Sequence, residues 1–235
     1  MITLFVSTAL AFDVNARLAE VSTLRSQRLS KVVPTLSTEA YAKAAAGEVA
    51  TGIEKVPGHE AKLGWGVGVI NAPIEAVWAG INDETRHGDL LPLSHVEIVS
   101  GAACADRRQV LMVLPLPVIA DRYWVNENRF ASALATASNG QVRELTWSSV
   151  ADPAAVTTSA AGKAAIDGLV PMTFNRGAWL LISLDADHTL AEYHSWVDPG
   201  GAVPAGAAST FATSGIVDTF RAMETYAKRG SLPCR

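Results

Sequence analysis

The sequence predicts an α+β domain in which one antiparallel sheet carries its helices on one face and is closed by a long terminal helix. Three observations predict it. From His95 onward, short segments rich in β-branched and aromatic residues follow one another with connections too short for parallel crossovers. A glycine-bearing strand and a short helix come before that run. A pattern of apolar residues at helical spacing comes after it. Helices gathered on one side of an antiparallel sheet make an α+β layer architecture.

The first helix is expected over 37–54. Ser37 suits the N-cap, where its hydroxyl accepts a free backbone N–H. Leu36 can pack on Tyr41 as a hydrophobic staple. Tyr41, Ala45, Val49 and Ile53 recur every four residues as one apolar stripe. Pro57-Gly58 would end the helix. A strand follows over 63–70, with Gly64, Gly66 and Gly68 on one face, where they leave room for another backbone or a ligand. Their spacing is not that of a nucleotide-binding loop. Pro73 then opens a short helix whose buried face is Ile74, Val77, Trp78 and Ile81. Residues 83–92 read as loop.

The strand run is expected at 95–100, 108–114, 122–130, 141–148, 179–184 and 189–197. The Ala- and Ser-rich stretch 152–167 reads as strand or loop. The last helix is expected over 209–229, with Ile216, Phe220, Met223 and Ala227 on its apolar face and Glu224 and Lys228 at a favourable i, i+4 spacing.

Composition narrows the function. The chain has 235 residues, 49% of them apolar and 18% charged, so it can build a large core and still line a cavity. Its formal net charge is -4 and its basic residues do not cluster, which argues against a nucleic-acid partner. The five histidines are scattered, with no metal-ligand spacing, and no cofactor motif stands out. Nothing resembles a nucleophile elbow, so no catalytic residue is assigned. Residues 1–12 are nearly all apolar and end in Ala9-Leu10-Ala11, the pattern of an export signal, although no positive charge precedes them. Residues 1–35 are therefore expected to be a signal segment and linker, and 36–232 the ligand-binding domain. Cys104 and Cys234 are compatible with one disulfide or two free thiols, and free thiols are the expectation.

Several stretches resemble the START-type lipid-binding family of the helix-grip superfamily. Ala72-Pro73-Ile74-Glu75-Ala76-Val77-Trp78 resembles its first short helix. The proline-containing stretch from Leu114 through Arg122-Tyr123-Trp124-Val125 resembles the approach to its Arg-Asp-aromatic strand. Val197-Asp198-Pro199-Gly200-Gly201 resembles the turn before its C-terminal helix. The resemblance implies a helix-grip fold, a curved sheet wrapped around the long last helix with an internal hydrophobic cavity. Sterol-binding members place an acid and an arginine on neighbouring strands inside that cavity. Carried onto this sequence, the arginine position falls at Asn128 and the acid near Gln109. Both are amides here, which implies a ligand with a neutral hydroxyl or carbonyl rather than a charged head.

Alternation places Trp124, Asn126, Asn128 and Phe130 on one strand face, and Tyr123, Val125, Glu127 and Arg129 on the other. The two charges mark the second face as wet, so the first is the inner one. Buried amides need partners, because an unpaired one costs about 1–3 kcal/mol. The candidate ligand-lining residues are Gln109, Leu111, Trp124, Asn126, Asn128 and Tyr193 on the strands, with Phe211, Phe220 and Met223 on the helix as the lid. Trp179 and Trp196 read as packing residues, and Asp198 as a turn former.

The expected function is binding, and transfer, of a lipid-like molecule (a sterol, fatty acid or phospholipid), with transient membrane contact. An enzyme on the same fold, such as a polyketide cyclase or aromatase, is the alternative. A solid interaction module is a third reading, since fold alone does not choose among them.

Overall fold

The computed structural model describes residues 13–117, 119–201 and 214–229. In chain order the helices are α1 (Val14–Glu20), α2 (Ser22–Arg25), α3 (Thr38–Ala45), α4 (Ile74–Asn82), α5 (Ser132–Ala137), α6 (Ala160–Ile166) and α7 (Ser214–Arg229). The strands are β1 (Ala50–Lys55), β2 (Lys62–Ile70), β3 (His95–Ser100), β4 (Arg107–Leu114), β5 (Arg122–Phe130), β6 (Val142–Ser149), β7 (Val170–Pro171), β8 (Phe174–Ser183) and β9 (Thr189–Asp198). They form one sheet in the order β1-β2-β9-β8-β6-β5-β4-β3, all antiparallel, with short β7 pairing parallel to β5. The first and last thirds of the chain therefore meet at β2 and β9.

The inner face of the sheet holds α4 and α7. Ile70, Leu145, Trp179, Leu181 and Ala191 from the strands pack there against Val77, Trp78 and Ile81 of α4 and Ile216, Phe220 and Met223 of α7. Each large side chain buried this way contributes roughly 1.5–3 kcal/mol. The glycines of β2 make the fit. A Cβ on Gly66 would lie 2.5 Å from Ile216 Cγ2, and one on Gly68 would lie 3.3 Å from Phe220 Cδ1. The space they leave is taken by the side chains of α7. Gly80 does the same for the two helices, since a Cβ there would meet Tyr226 Cβ at 3.1 Å.

The outer face is covered as well. Val14, Leu18 and Val21 join Ala40, Tyr41 and Ala44 of α3 over Val67, Leu180, Ile182 and Leu190. Residues 13–35, expected to be a leader and linker, are thus folded onto the sheet from Asp13 onward. Arg17 donates to Ser183 O at 2.9 Å and Arg25 reaches Glu192 at 2.5 Å. Residues 1–12 lie outside the described residues.

Other expectations need correction. Ser37 does cap the first helix, accepting from Ala40 N at 3.1 Å. The helix stops at Ala45, however, because Gly47 takes a left-handed backbone (φ 86°) and turns the chain into β1. Val49 and Ile53, expected on the helix stripe, therefore lie beyond it. Residues 83–92 contain a 3-10 helix, Glu84–Asp89. The 152–167 stretch is helical rather than strand: Ser159 caps α6 by accepting from Gly162 N at 3.0 Å. Its side chains cover Leu111, Val113, Tyr123 and Val125 on the outer face. β8 begins five residues earlier than expected, at Phe174. Positions 209–213 of the last helix lie outside the described residues. Cys104 is in a disulfide rather than free.

Candidate functional site

Phe130 packs on Trp78 of α4 with ring centroids 4.5 Å apart, which fixes the direction of the row Trp124, Asn126, Asn128, Phe130. All four point to the inner face, as the alternation predicts. The pairing with β4 places Met112 opposite Trp124, Val110 opposite Asn126 and Arg108 opposite Asn128. Cross-strand partners share a face, so Arg108 also points inward. Gln109 and Leu111 point outward, Gln109 opposite Glu127 and Leu111 within the cluster under α6. Counting a fixed interval back from Asn128 misplaced the inward position by one residue, which in a strand reverses the face.

The inward acid comes from elsewhere. α4 ends at Asn82, and the next turn carries Glu84 into the interior. Arg108 Nε donates to Glu84 Oε1 at 2.9 Å, and its Nη2 also contacts that oxygen. Nη2 donates to Asn82 Oδ1 at 2.7 Å and Nη1 to Ala105 O at 2.8 Å. Asn128 Nδ2 donates to Glu84 Oε1 at 2.8 Å. Both charged residues are only 1% exposed. An acid and an arginine thus both face the interior, Glu84 from the turn after α4 and Arg108 from β4, and they neutralise each other.

Among the described residues, several buried polar atoms on this face have no hydrogen-bond partner: Glu84 Oε2, Asn128 Oδ1, Asn126 Oδ1 and Trp124 Nε1. Three belong to one strand at alternate positions, roughly 7 Å apart along it. Together they offer one donor and several acceptors on the inner face.

Farther along that face the surface becomes aromatic. Tyr193 stacks between Trp147 and Trp179, with centroids 5.7 and 4.6 Å away, and Trp179 meets Phe220 at 5.1 Å. Burial pushes the Tyr193 hydroxyl above its ordinary pKa, so it stays protonated. Trp147 Nε1 donates to Asn175 Oδ1 at 2.9 Å. Phe220 and Met223 are buried on α7, while Phe211 lies outside the described residues. Trp179 packs as expected. Trp196 packs on the outer face against Phe174. His87 donates from Nε2 to Gly80 O at 3.1 Å, and burial pushes its pKa below the usual imidazole value, so it is neutral near pH 7.

Arg122, at the start of β5, holds the turn that leads toward α7. Its Nε donates to Pro199 O at 2.7 Å and its Nη2 to Gly200 O at 3.1 Å, while Nη1 contacts Ala120 O. Asp198 accepts from Gly200 N at 2.9 Å, the turn role its sequence context predicts.

No protein-family model matches the chain, and no curated relative does. Solved structures do. Human StAR-related lipid transfer protein 5 superposes with a TM-score of 0.62 at 13% identity, over 92% of this chain and 94% of that one. Human STARD10 gives 0.61 at 13%, over 90% and 80%. A STAR-related lipid transfer protein from Xanthomonas axonopodis gives 0.60 at 17%, over 77% and 93%. At these identities the likeness is one of fold.

Proposed function

Because the chain has the START-type helix-grip fold, we propose that it binds one lipid-like molecule on the inner face of its sheet, with the polar end of that molecule at Trp124, Asn126 and Asn128. The observation that carries this reading is the set of buried, unpartnered polar atoms there. Each costs about 1–3 kcal/mol when left unmet. A neutral hydroxyl would suit the neighbouring pair, since its oxygen can accept from Trp124 Nε1 and its proton can go to Asn126 Oδ1. A carboxylate head fits less well, because Glu84 Oε2 is nearby and Arg108 is already engaged.

Affinity would rest on the apolar remainder of the ligand. Burying about 400 Å² at ~25 cal/mol/Å² contributes on the order of 10 kcal/mol before the cost of immobilisation. A disulfide at Cys104 favours an oxidising compartment, in keeping with an exported protein.

Native mass spectrometry of the purified protein tests this reading. A co-purifying neutral lipid released on denaturation supports it. A clean apo mass that takes up neither sterols, long-chain alcohols, fatty acids nor phospholipids would refute it.

A further inference from the structure

The opposite face of the sheet carries a hollow. Residues 28–33 cross the outer face as a strap, fixed by buried groups. Arg28 pairs with Glu192 at 3.0 Å, Ser30 N donates to Glu144 Oε1 at 3.1 Å, and Ser30 Oγ lies 3.2 Å from His194 Nε2. Between this strap and β5, β6, β8 and β9 lies a half-open pocket of about 440 Å³. Leu63 and Trp196 help form its apolar wall, and Lys31, Arg129 and Arg176 line it as well.

The charge there runs against that of the whole chain, whose net is -4. Glu127, the carboxylate in the lining, is taken up by Arg107 at 2.6 Å and Arg129 at 2.5 Å. Arg176 stands exposed near the start of β8 and makes no ion pair among the described residues. Beside these cations the strap exposes Leu29 (45%), Val32 (41%) and Val33 (38%). Among the described residues four large apolar side chains are exposed, and three of them fall within these five positions. An isolated exposed leucine needs no explanation, but apolar residues concentrated at a cationic pocket mark an interaction surface.

We propose that this outer face docks on an anionic phospholipid membrane, with a headgroup phosphate in the pocket against Arg176 and Lys31 and with Leu29, Val32 and Val33 entering the interface. A free anion would use the cations but not the exposed apolar residues beside them. Binding of this kind combines buried apolar area with electrostatic attraction. The docked molecule turns its inner face away from that bilayer, since the two faces of one sheet point in opposite directions. The proposal stands independently of the inner-face ligand.

The test is co-sedimentation of the full chain with phosphatidylcholine vesicles, with and without phosphatidylglycerol. Binding is expected only with phosphatidylglycerol and should fade as salt is raised. Lys31→Glu with Arg176→Glu, both exposed positions, should weaken it at least roughly tenfold. Leu29→Ser with Val32→Ser should weaken it several-fold and keep the wild-type unfolding midpoint, and the charge-reversed variant should keep the wild-type circular dichroism spectrum. Equal binding to neutral vesicles would overturn the proposal, as would wild-type binding by the charge-reversed protein. Saturable binding of inorganic phosphate without vesicle binding would make this a free-anion site and overturn it too.

Discussion

Asn128 donates its side-chain amide to Glu84 Oε1 at 2.8 Å, the same oxygen that Arg108 holds from the neighbouring strand. One carboxylate oxygen thus collects all the donors while Glu84 Oε2 and Asn128 Oδ1 stay unpartnered. The polar end of the inner face is built around this asymmetry.

The ion pair should be costly to break and cheap to replace. Arg108→Met leaves Glu84 charged and buried, which costs about 3–5 kcal/mol by urea unfolding. The double variant Arg108→Met with Glu84→Leu should lose less than either single change, because no charge is stranded.

Asn126 should separate stability from binding. Its Oδ1 is buried without a partner, so Asn126→Leu removes a desolvation penalty and should leave apo stability unchanged or raise it by about 1 kcal/mol. Uptake of a hydroxylated lipid should fall in the same variant. A structural role alone would predict a loss of stability with no selective effect on binding.

How much of this was legible in the sequence follows from what each signal encodes. The direction of Asn128 could be read because Trp124 and Phe130 alternate with Glu127 and Arg129, and period-2 alternation survives folding. The partners of Asn128 could not. Arg107 and Arg108 are adjacent, so one had to point inward, but only the β4–β5 register says which. Glu84 sits in a polar stretch with no apolar period, and it reaches the interior only because α4 ends at Asn82. The helix expected over 37–54 is longer than the observed one because its stripe continues by chance into β1, where pairing with β2 outweighs helical spacing. Residues 13–35 read as linker because Arg25 and the backbone and hydroxyl of Ser30 bind a polar patch on the sheet, Glu192, Glu144 and His194, that no local pattern announces.

The fit of α7 on β2 should be intolerant of any side chain at Gly66. Gly66→Ala puts its Cβ against Ile216 and should cost about 1–3 kcal/mol. Ile216→Ala alone opens a cavity costing roughly 2–5 kcal/mol. Together they should cost less than the sum, because each change relieves the other.

The strap should weaken in mild acid. Burial, with help from the nearby Arg28 charge, lowers the His194 pKa from 6.5 to about 4. A base depressed in the folded state contributes stability that is full above its unfolded pKa and is lost as pH falls toward 4. The span corresponds to on the order of 3 kcal/mol. Glu144 acts in the opposite sense, since burial raises its pKa and its contribution is lost as pH rises. The clean readout is therefore the difference between wild type and His194→Gln, which should shrink as pH falls from 6.5 to 4.

The most direct measurement is the Trp124 indole N–H resonance during titration with a long-chain alcohol and with the matching alkane, assigned through Trp124→Phe. The alcohol should shift this resonance downfield and the alkane should not. A protein that binds the alcohol while this resonance stays unmoved would contradict the proposed inner-face site, and so would one that binds neither.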